Sequence, residues 1–376
     1  MTLGDQQTPG ILAACMIWCV RVAAFTVVVC TLLPLVRTGW WLVRSCDFPR
    51  LHLAGVCVAL LLTALGFAWR YGWRPETSAT CIVIASVFLW QAVHVLPYTR
   101  LWRTSVESGE TKQVRLLVAN LDFENRQHAD VVRAIESQEP DVLLLVEIDE
   151  TWERELGELA DRFPHRVGEV RDNGLGIALW SRMPLDEARV EHRVSEDRPS
   201  INATLDIGGM PIRFVGVHPT PPALAKRSGT GRHNSRIRDA ELVLVAEDVA
   251  ADAEAVWIVA GDFNDVAWSH TTRLFRRLSG LRDPRVGRGM FSTYHAEYPL
   301  LRYPLDHVFV SRGIRVAGLS RVRMPGSDHF AMLADLDLRD VGEGVNPTAD
   351  PDDREEAAEV IDEGTEDAED MGRSTP

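Results

Sequence analysis

The segment WIVAGDFNDV, residues 257–266, carries four apolar residues straight into Gly261, Asp262 and Asn264. A continuous apolar run of this length reads as a strand covered on one or both faces by other layers. A carboxylate and a carboxamide at the end of such a strand are costly unless they have partners. The segment therefore predicts a polar site built at a strand end.

The same design recurs along the chain. VRLLVAN (114–120), DVLLLVEI (141–148), GIALWSR (176–182), INATLDI (201–207), IRFVGVH (212–218), VWIVAGDFN (256–264), LDHVFVS (305–311) and HFAMLADLDL (329–338) all read as strands. Apolar residues at helical spacing fall between some of them, at 125–138, 235–252 and 269–280. Two packed sheets with helices outside fit this order, in one domain over residues 113–339.

Polar residues gather where these strands end. Asn120 and Asp122 follow the first and Glu147 ends the second; His218 ends a later one, and Asp262 and Asn264 follow the next. Asp306, His307, Ser327, Asp328 and His329 come near the end. Taken singly, Asn and Asp cap helices and turn loops, and a lone histidine is more often a hydrogen-bonded structural residue. Glu147 is different: inside LLLVEID a buried carboxylate calls for a cation.

Taken together and in order, ANLD, LLLVEID, VGVHP, VAGDFND, LDHVFVS and GSDH resemble the successive motifs of the endonuclease/exonuclease/phosphatase superfamily, metal-dependent phosphoesterases that include DNase I, exonuclease III-type enzymes, sphingomyelinases and inositol-phosphate 5-phosphatases. The resemblance spans residues 113–339 and implies an α/β fold, the four-layered DNase I-like sandwich, with its site at one edge of the two sheets. It implies Mg²⁺ as cofactor, with Mn²⁺ as an alternative, and Glu147 as its main ligand. Asn120 and Asp122 would support the metal, with Asp328 near it. By the same resemblance Asp262 orients or deprotonates the attacking water and Asn264 steadies the phosphoryl oxygens. His329 contacts the scissile phosphate, Asp306 fixes its tautomer, and His218 matches a second histidine of many members.

Chemistry supports these residue types independently. A phosphodiester repels hydroxide, so its hydrolysis needs a hard cation, a carboxylate for the water and donors aimed at the developing charge. For the substrate, Arg227 and Arg232 in the basic stretch AKRSGTGRHNSRIR (225–238) could receive a phosphate-bearing group, although such a stretch also suits a solvated loop; Tyr294 could supply an aromatic clamp.

The flanking regions set the context. Residues 1–112 hold three apolar runs, about 11–36, 52–69 and 79–97, each near the roughly 20 residues a membrane-crossing helix needs. Trp40, Trp41, Trp69, Trp73 and Trp102 sit near their ends, as interfacial aromatics do. All six cysteines lie in the first 81 residues, so the domain that follows uses neither disulfides nor thiolate ligands. Residues 340–376 carry 14 Asp/Glu against 2 Arg and read as an acidic disordered tail. The region between is mildly acidic, which argues against a general nucleic-acid binder.

A multi-pass protein of the cell membrane follows, its partners the bilayer and a phosphate-ester substrate. Arginine counting favours a cytoplasmic domain; resemblance to bacterial membrane-anchored members favours the extracytoplasmic side, and that side is the expectation. The expected activity is Mg²⁺-dependent hydrolysis of a phosphate ester, of a lipid-linked or envelope substrate. A membrane-associated nuclease and a catalytically inactive scaffold are the alternatives.

Overall fold

The structure is a computed structural model and describes residues 10–219, 234–339 and 344–374. The chain divides into two compact units, Met1–Pro97 and Tyr98–Pro376.

The first unit contains helices α1 (Ile11–Leu32), α2 (Trp41–Ser45), α3 (Arg50–Tyr71) and α4 (Pro75–Val95). Ile17, Val20, Ala24 and Val27 of α1 pack on Cys57, Ala64 and Phe67 of α3 and Ile84 of α4. The outside is also apolar, with Trp18, Phe25, Leu62, Leu89 and Val93 all exposed. A helix apolar on every face suits a protein core or a bilayer, and three of these are long and apolar enough to cross a membrane. Polar groups inside this bundle are paired: Arg50 with Asp47 at 2.6 Å, and Gln91 with Thr31 at 2.7 Å.

The second unit runs β1 (Val114–Asn120), α5 (His128–Gln138), β2 (Val142–Val146), α6 (Glu150–Glu155), β3 (His165–Glu169), β4 (Ile177–Ser181), β5 (Leu185–His192), β6 (Pro199–Ile207), β7 (Met210–Val217), α7 (Arg236–Ala251), β8 (Val256–Asp262), α8 (His270–Ser279), β9 (Asp306–Val310), β10 (Arg315–Arg323), β11 (Phe330–Asp337) and α9 (Pro351–Ser374). The strands form two mixed sheets, ordered β10-β11-β1-β2-β4-β3 and β5-β6-β7-β8-β9. Successive residues of a strand face opposite ways, and both faces are covered. Leu116, Val118, Val142 and Leu144 meet Ile258 and Ala260 between the sheets. Leu117 and Leu143 pack outward on Val131, Ile135 and Trp152 of α5 and α6; Trp257 and Val259 pack on Leu242, Val243 and Phe275 of α7 and α8. This is the four-layered α/β sandwich, and double coverage explains the unbroken apolar runs.

Topology makes the site. β1 and β2 are parallel, as are β7 and β8, so each pair delivers its carboxyl ends to one edge. β11 and β9 run antiparallel to β1 and β8, which brings their amino ends to the same edge, with Asp306 opposite Asp262.

The acidic tail departs from expectation. Rather than being disordered, Pro351–Ser374 is helix α9, with Ala357 fully buried and Val360 and Ile361 packed on the α7–α8 layer. These three residues form an i, i+3, i+4 stripe. The acidic side chains meet bases: Arg277 grips Asp353 through two bonds of 2.7 and 2.8 Å, Arg236 pairs with Asp367 at 3.2 Å, and His270 pairs with Glu356. Partners on α7 and α8 thus offset the charge density that would keep the isolated segment unfolded.

Candidate active site

Gly261 shows why the quoted segment has its composition. Its φ is +148°, and a Cβ there would stand 1.9 Å from the Val217 carbonyl oxygen, so β7 and β8 approach closely only because residue 261 has no side chain. Asp262 follows, 1% exposed, and Phe263 turns back into the core to stack on His307. Three of the turns beyond these strands hold a non-glycine residue in the left-handed region: Asp122 (φ +58°), Glu147 (+59°) and Asn264 (+49°). Such conformations cost energy and gather at functional sites.

The two sheets meet through side chains at this edge. Asn120 Nδ2 donates to Glu147 Oε1 at 2.8 Å and to Asp262 Oδ2 at 3.1 Å. Its Oδ1 accepts from the Asp122 amide at 3.0 Å, which fixes the orientation of the carboxamide. Asp262 Oδ1 accepts from the Asn264 amide at 2.9 Å. His329 Nδ1 bonds Asp306 Oδ2 at 2.8 Å, leaving Nε2 3.7 Å from Asp262 Oδ2. His218 Nε2 lies 3.9 Å from both Glu147 Oε1 and Asp262 Oδ2.

Burial and neighbouring charge divide the protons. Burial alone would push His329 down, but the Asp306 and Asp262 carboxylates outweigh it and raise it to about 10, so the ring is an imidazolium at neutral pH. His218 is pushed down to about 4 by burial, against the pull of Asp262, and is neutral. Burial drives Glu147 up to about 8 despite the Asn120 hydrogen bond and the His329 charge, with Asp328 and Asp122 adding to the rise. Asp262 is raised as well, by burial and then by Asp306.

A divalent cation suits this charge pattern. Five carboxylates, Asp122, Glu147, Asp262, Asp306 and Asp328, share the edge with one imidazolium, and Glu147 holds a proton into the neutral range without a further positive charge. A hard cation with oxygen ligands reverses that. Among the described residues, Asp262, Asp306 and His329 are the group whose ligand atoms fall within 4.8 Å of one another. The His329–Asp306 hydrogen bond already links two of them. Asp122 and Asp328 lie near enough to Glu147 for their charges to act on it, outside that close group, and Asp122 Oδ1 also accepts the Glu124 amide at 3.0 Å.

Most of the expected residues therefore come together. Asn120, expected to support the metal, accepts the Asp122 amide through Oδ1 and turns its N–H groups to the carboxylates, so it positions Glu147 and Asp262. Asn264 has Nδ2 tied to the Pro219 carbonyl at 2.9 Å, anchoring the chain just beyond β7. Tyr294 sits beside the site with its ring 5.0 Å from that of His329. Arg227 and Arg232 lie outside the described residues. His307 is structural, bonded to the Asp265 carbonyl at 3.0 Å and held neutral by burial and by Arg285.

Ser327, named from sequence without a chemical role, ties the site together, and Arg198 is a residue that sequence did not single out. Ser327 accepts the His329 amide at 3.0 Å and donates to the Asn120 carbonyl at 2.8 Å, tying the His329 loop to β1; GSDH carried that signal. Arg198, 1% exposed, helps hold His218 unprotonated, and no pattern around DRPS marks it.

Comparison with known proteins agrees with this architecture. The profile of the Endonuclease/Exonuclease/phosphatase family matches residues 117–329, from β1 to the site histidine. No curated protein matches the chain. Similar solved structures include a humanized TDP2 from D. rerio (16% identity, TM-score 0.48, covering 60% of this chain and 98% of that one). Others are beta toxin from Staphylococcus aureus (14%, 0.43, 59% and 99%) and an endonuclease/exonuclease/phosphatase from Beutenbergia cavernae (17%, 0.46, 62% and 72%). With the profile spanning more than half of the sequence and the motifs meeting at one sheet edge, the chain belongs to the endonuclease/exonuclease/phosphatase family.

Proposed function

We propose that the protein is a membrane-anchored, Mg²⁺- or Mn²⁺-dependent hydrolase of phosphate esters whose substrate is borne by a membrane lipid. The observation that carries this reading is the cross-sheet constellation of Asn120, Glu147, Asp262, His329 and Asp306, linked by bonds of 2.8–3.1 Å. Glu147, with Asp122 and Asp328 nearby, would hold the cation. When bound, it would neutralise phosphate charge and polarise the phosphoryl oxygen.

The chain's own groups perform the rest. Asp262, held by the Asn120 and Asn264 N–H groups, accepts a proton from the attacking water as its oxygen bonds to phosphorus; the ester P–O bond breaks, and the leaving oxygen takes up a proton from solvent. Imidazolium His329 donates its Nε2 hydrogen to a phosphoryl oxygen as negative charge develops there, while Asp306 keeps its charge and tautomer in place. Neutral His218 presents Nε2 between Glu147 and Asp262, 3.9 Å from each. The three apolar helices support a lipid-borne substrate, because a tether raises the effective concentration of anything in the same bilayer. The active face is assigned to the extracytoplasmic side, where lipid-linked envelope intermediates are reached.

The test is hydrolysis of bis(p-nitrophenyl) phosphate by the purified full chain, abolished by EDTA and restored by Mg²⁺, with parallel assays on a lipid-linked diphosphate and on plasmid DNA. Turnover of DNA alone would replace this reading with a nuclease. An Asp262→Asn protein as active as the unmodified one, or no turnover of any ester, would leave a scaffold.

A further inference from the structure

Among the described residues of the second unit, the strongly exposed large apolar side chains fall in two short stretches. Leu101 is 86% exposed and Trp102 42%; Tyr298, Leu300 and Leu301 are 57%, 77% and 53% exposed. Scattered exposed leucines need no explanation, but clustered ones do. One basic cleft of about 460 Å³ adjoins the first stretch through Arg100 and the second through Arg302 on the Phe330 ring. Arg100, immediately before Leu101, lines it with Arg288, Phe291, Arg321 and Phe330. The Phe330 ring also carries Arg302, the residue after Leu301, at 5.0 Å, and Arg321 at 4.9 Å. The two apolar stretches are thus joined through one aromatic ring.

The charge of this cleft is not cancelled locally. Arg288 donates to the carbonyls of Pro284 and Val106 and to the Ser108 hydroxyl, Arg302 to the carbonyls of His295 and Ala296, and Arg321 to that of Ser292. These acceptors are neutral. Glu297, on the apolar loop, has Arg323 at 3.7 Å. Apolar tips backed by guanidinium groups are the pattern of a surface that enters the headgroup region of a bilayer, with arginines at the level of the phosphates.

Chain connectivity selects the bilayer over a protein partner. The third candidate span ends at Tyr98, and Leu101 follows three residues later, within about 11 Å of chain. We propose that this face, Leu101–Trp102 and Tyr298–Leu301 around the Arg100–Arg288–Arg321 cleft, rests on the membrane that holds the chain's own helices and takes anionic headgroup phosphates. Phe330 adjoins His329 in sequence and Tyr294 packs on the His329 ring, so the docked face is also the rim of the active site. The docking stands on these surface features; its purpose, access to a lipid-borne ester, rests on the proposed function.

The experiment uses the full chain with its six cysteines replaced by serine, reconstituted into phosphatidylcholine vesicles with and without phosphatidylglycerol. A nitroxide at Leu300→Cys, with an exposed control at Asp186→Cys on β5, reports accessibility to oxygen and to a water-soluble nickel chelate. The expected result is that the Leu300 label, unlike the control, becomes more accessible to oxygen than to nickel in vesicles, more so with phosphatidylglycerol, and that Arg321→Ala removes the phosphatidylglycerol effect. Equal nickel access in vesicles and detergent overturns the proposal. So does shielding from both reagents with spin–spin broadening, which places a second copy of the chain there. Leu300→Asp/Leu301→Asp should lower turnover of a bilayer-borne ester about tenfold while sparing bis(p-nitrophenyl) phosphate. Immersion without turnover of any ester would support docking and refute the phosphoesterase reading; turnover without immersion does the reverse.

Discussion

Glu241→Gln should make the protein more stable above neutral pH and leave it unchanged in mild acid. Glu241 lies in the middle of α7, 1% exposed, and neither carboxylate oxygen has a hydrogen-bond partner among the described residues. Burial pushes its carboxyl from the ordinary 4.5 up to about 7, and the charges of Arg198 and Arg193 offset only part of that. Below pH 4.5 both folded and unfolded chains hold the proton. Between 4.5 and about 7 the folded chain keeps it while the unfolded chain releases it, so stability falls as pH rises through this window and levels off above it. A shift of that size amounts to about 3 kcal/mol. Glutamine copies the protonated carboxyl and has no such window. For a domain of this size about 3 kcal/mol corresponds to roughly 6–12 °C in Tm. Differential scanning fluorimetry of the two proteins in the same detergent, from about pH 5 to about pH 8, measures the difference directly. A gap that stays constant across this range, or a glutamine variant that melts lower at about pH 8, would refute the reasoning.

Glu147→Gln should retain the fold but lower turnover by orders of magnitude and raise the Mg²⁺ concentration needed, read by metal titration of the rate. Asp262→Asn and His329→Ala should each reduce kcat by about a thousandfold or more, and Asp306→Asn by less, since it acts through His329. With Asp306 neutralised the imidazolium loses its proton at lower pH, so the deficit of that variant should widen from about pH 6 to about pH 9; a pH-independent deficit would remove the charge argument. Alkaline phosphatase fused after Pro376, which leaves α9 in place, should be active if the catalytic unit is extracytoplasmic, and a stable but inactive fusion assigns it to the cytoplasm.

The sandwich was legible where burial on both faces left no choice of residue. VLLLV and WIVA can be little other than covered strands, and their polar ends announced the site. The strands not read from sequence, β3, β5 and β10, are all at sheet edges, where HRVGE, LDEARVEH and RVAGLSRVR mix charge with short side chains because one face meets water. The α9 helix was missed because its charge outweighed the stripe of Ala357, Val360 and Ile361, and its arginine and histidine partners lie about 80 to 130 residues earlier in sequence. Residues defined by motif order, such as Glu147 and His329, were accessible to sequence reasoning. Arg198 acts through contacts made only in three dimensions. The direction of the Asn120 carboxamide is likewise set by an amide two residues on, so its residue type alone did not separate a ligand from a positioning group.

Asn120, Glu147 and His329 hang from one sheet; His218, Asp262 and Asp306 hang from the other. The distances that matter for chemistry are therefore measured across the interior, and the sandwich filling acts as a spacer that sets alignment. Leu144 illustrates the tolerance: its Cδ1 would stand 2.6 Å from a Cβ at Gly216, so the sheets interlock there with no slack. A slight shear between the layers would part the Asn120–Asp262 and His329–Asp306 bonds while every strand stayed in its ladder. Catalytic competence should accordingly fade on warming before any melting is detected, and filling or emptying the middle layer, far from substrate, should move that temperature.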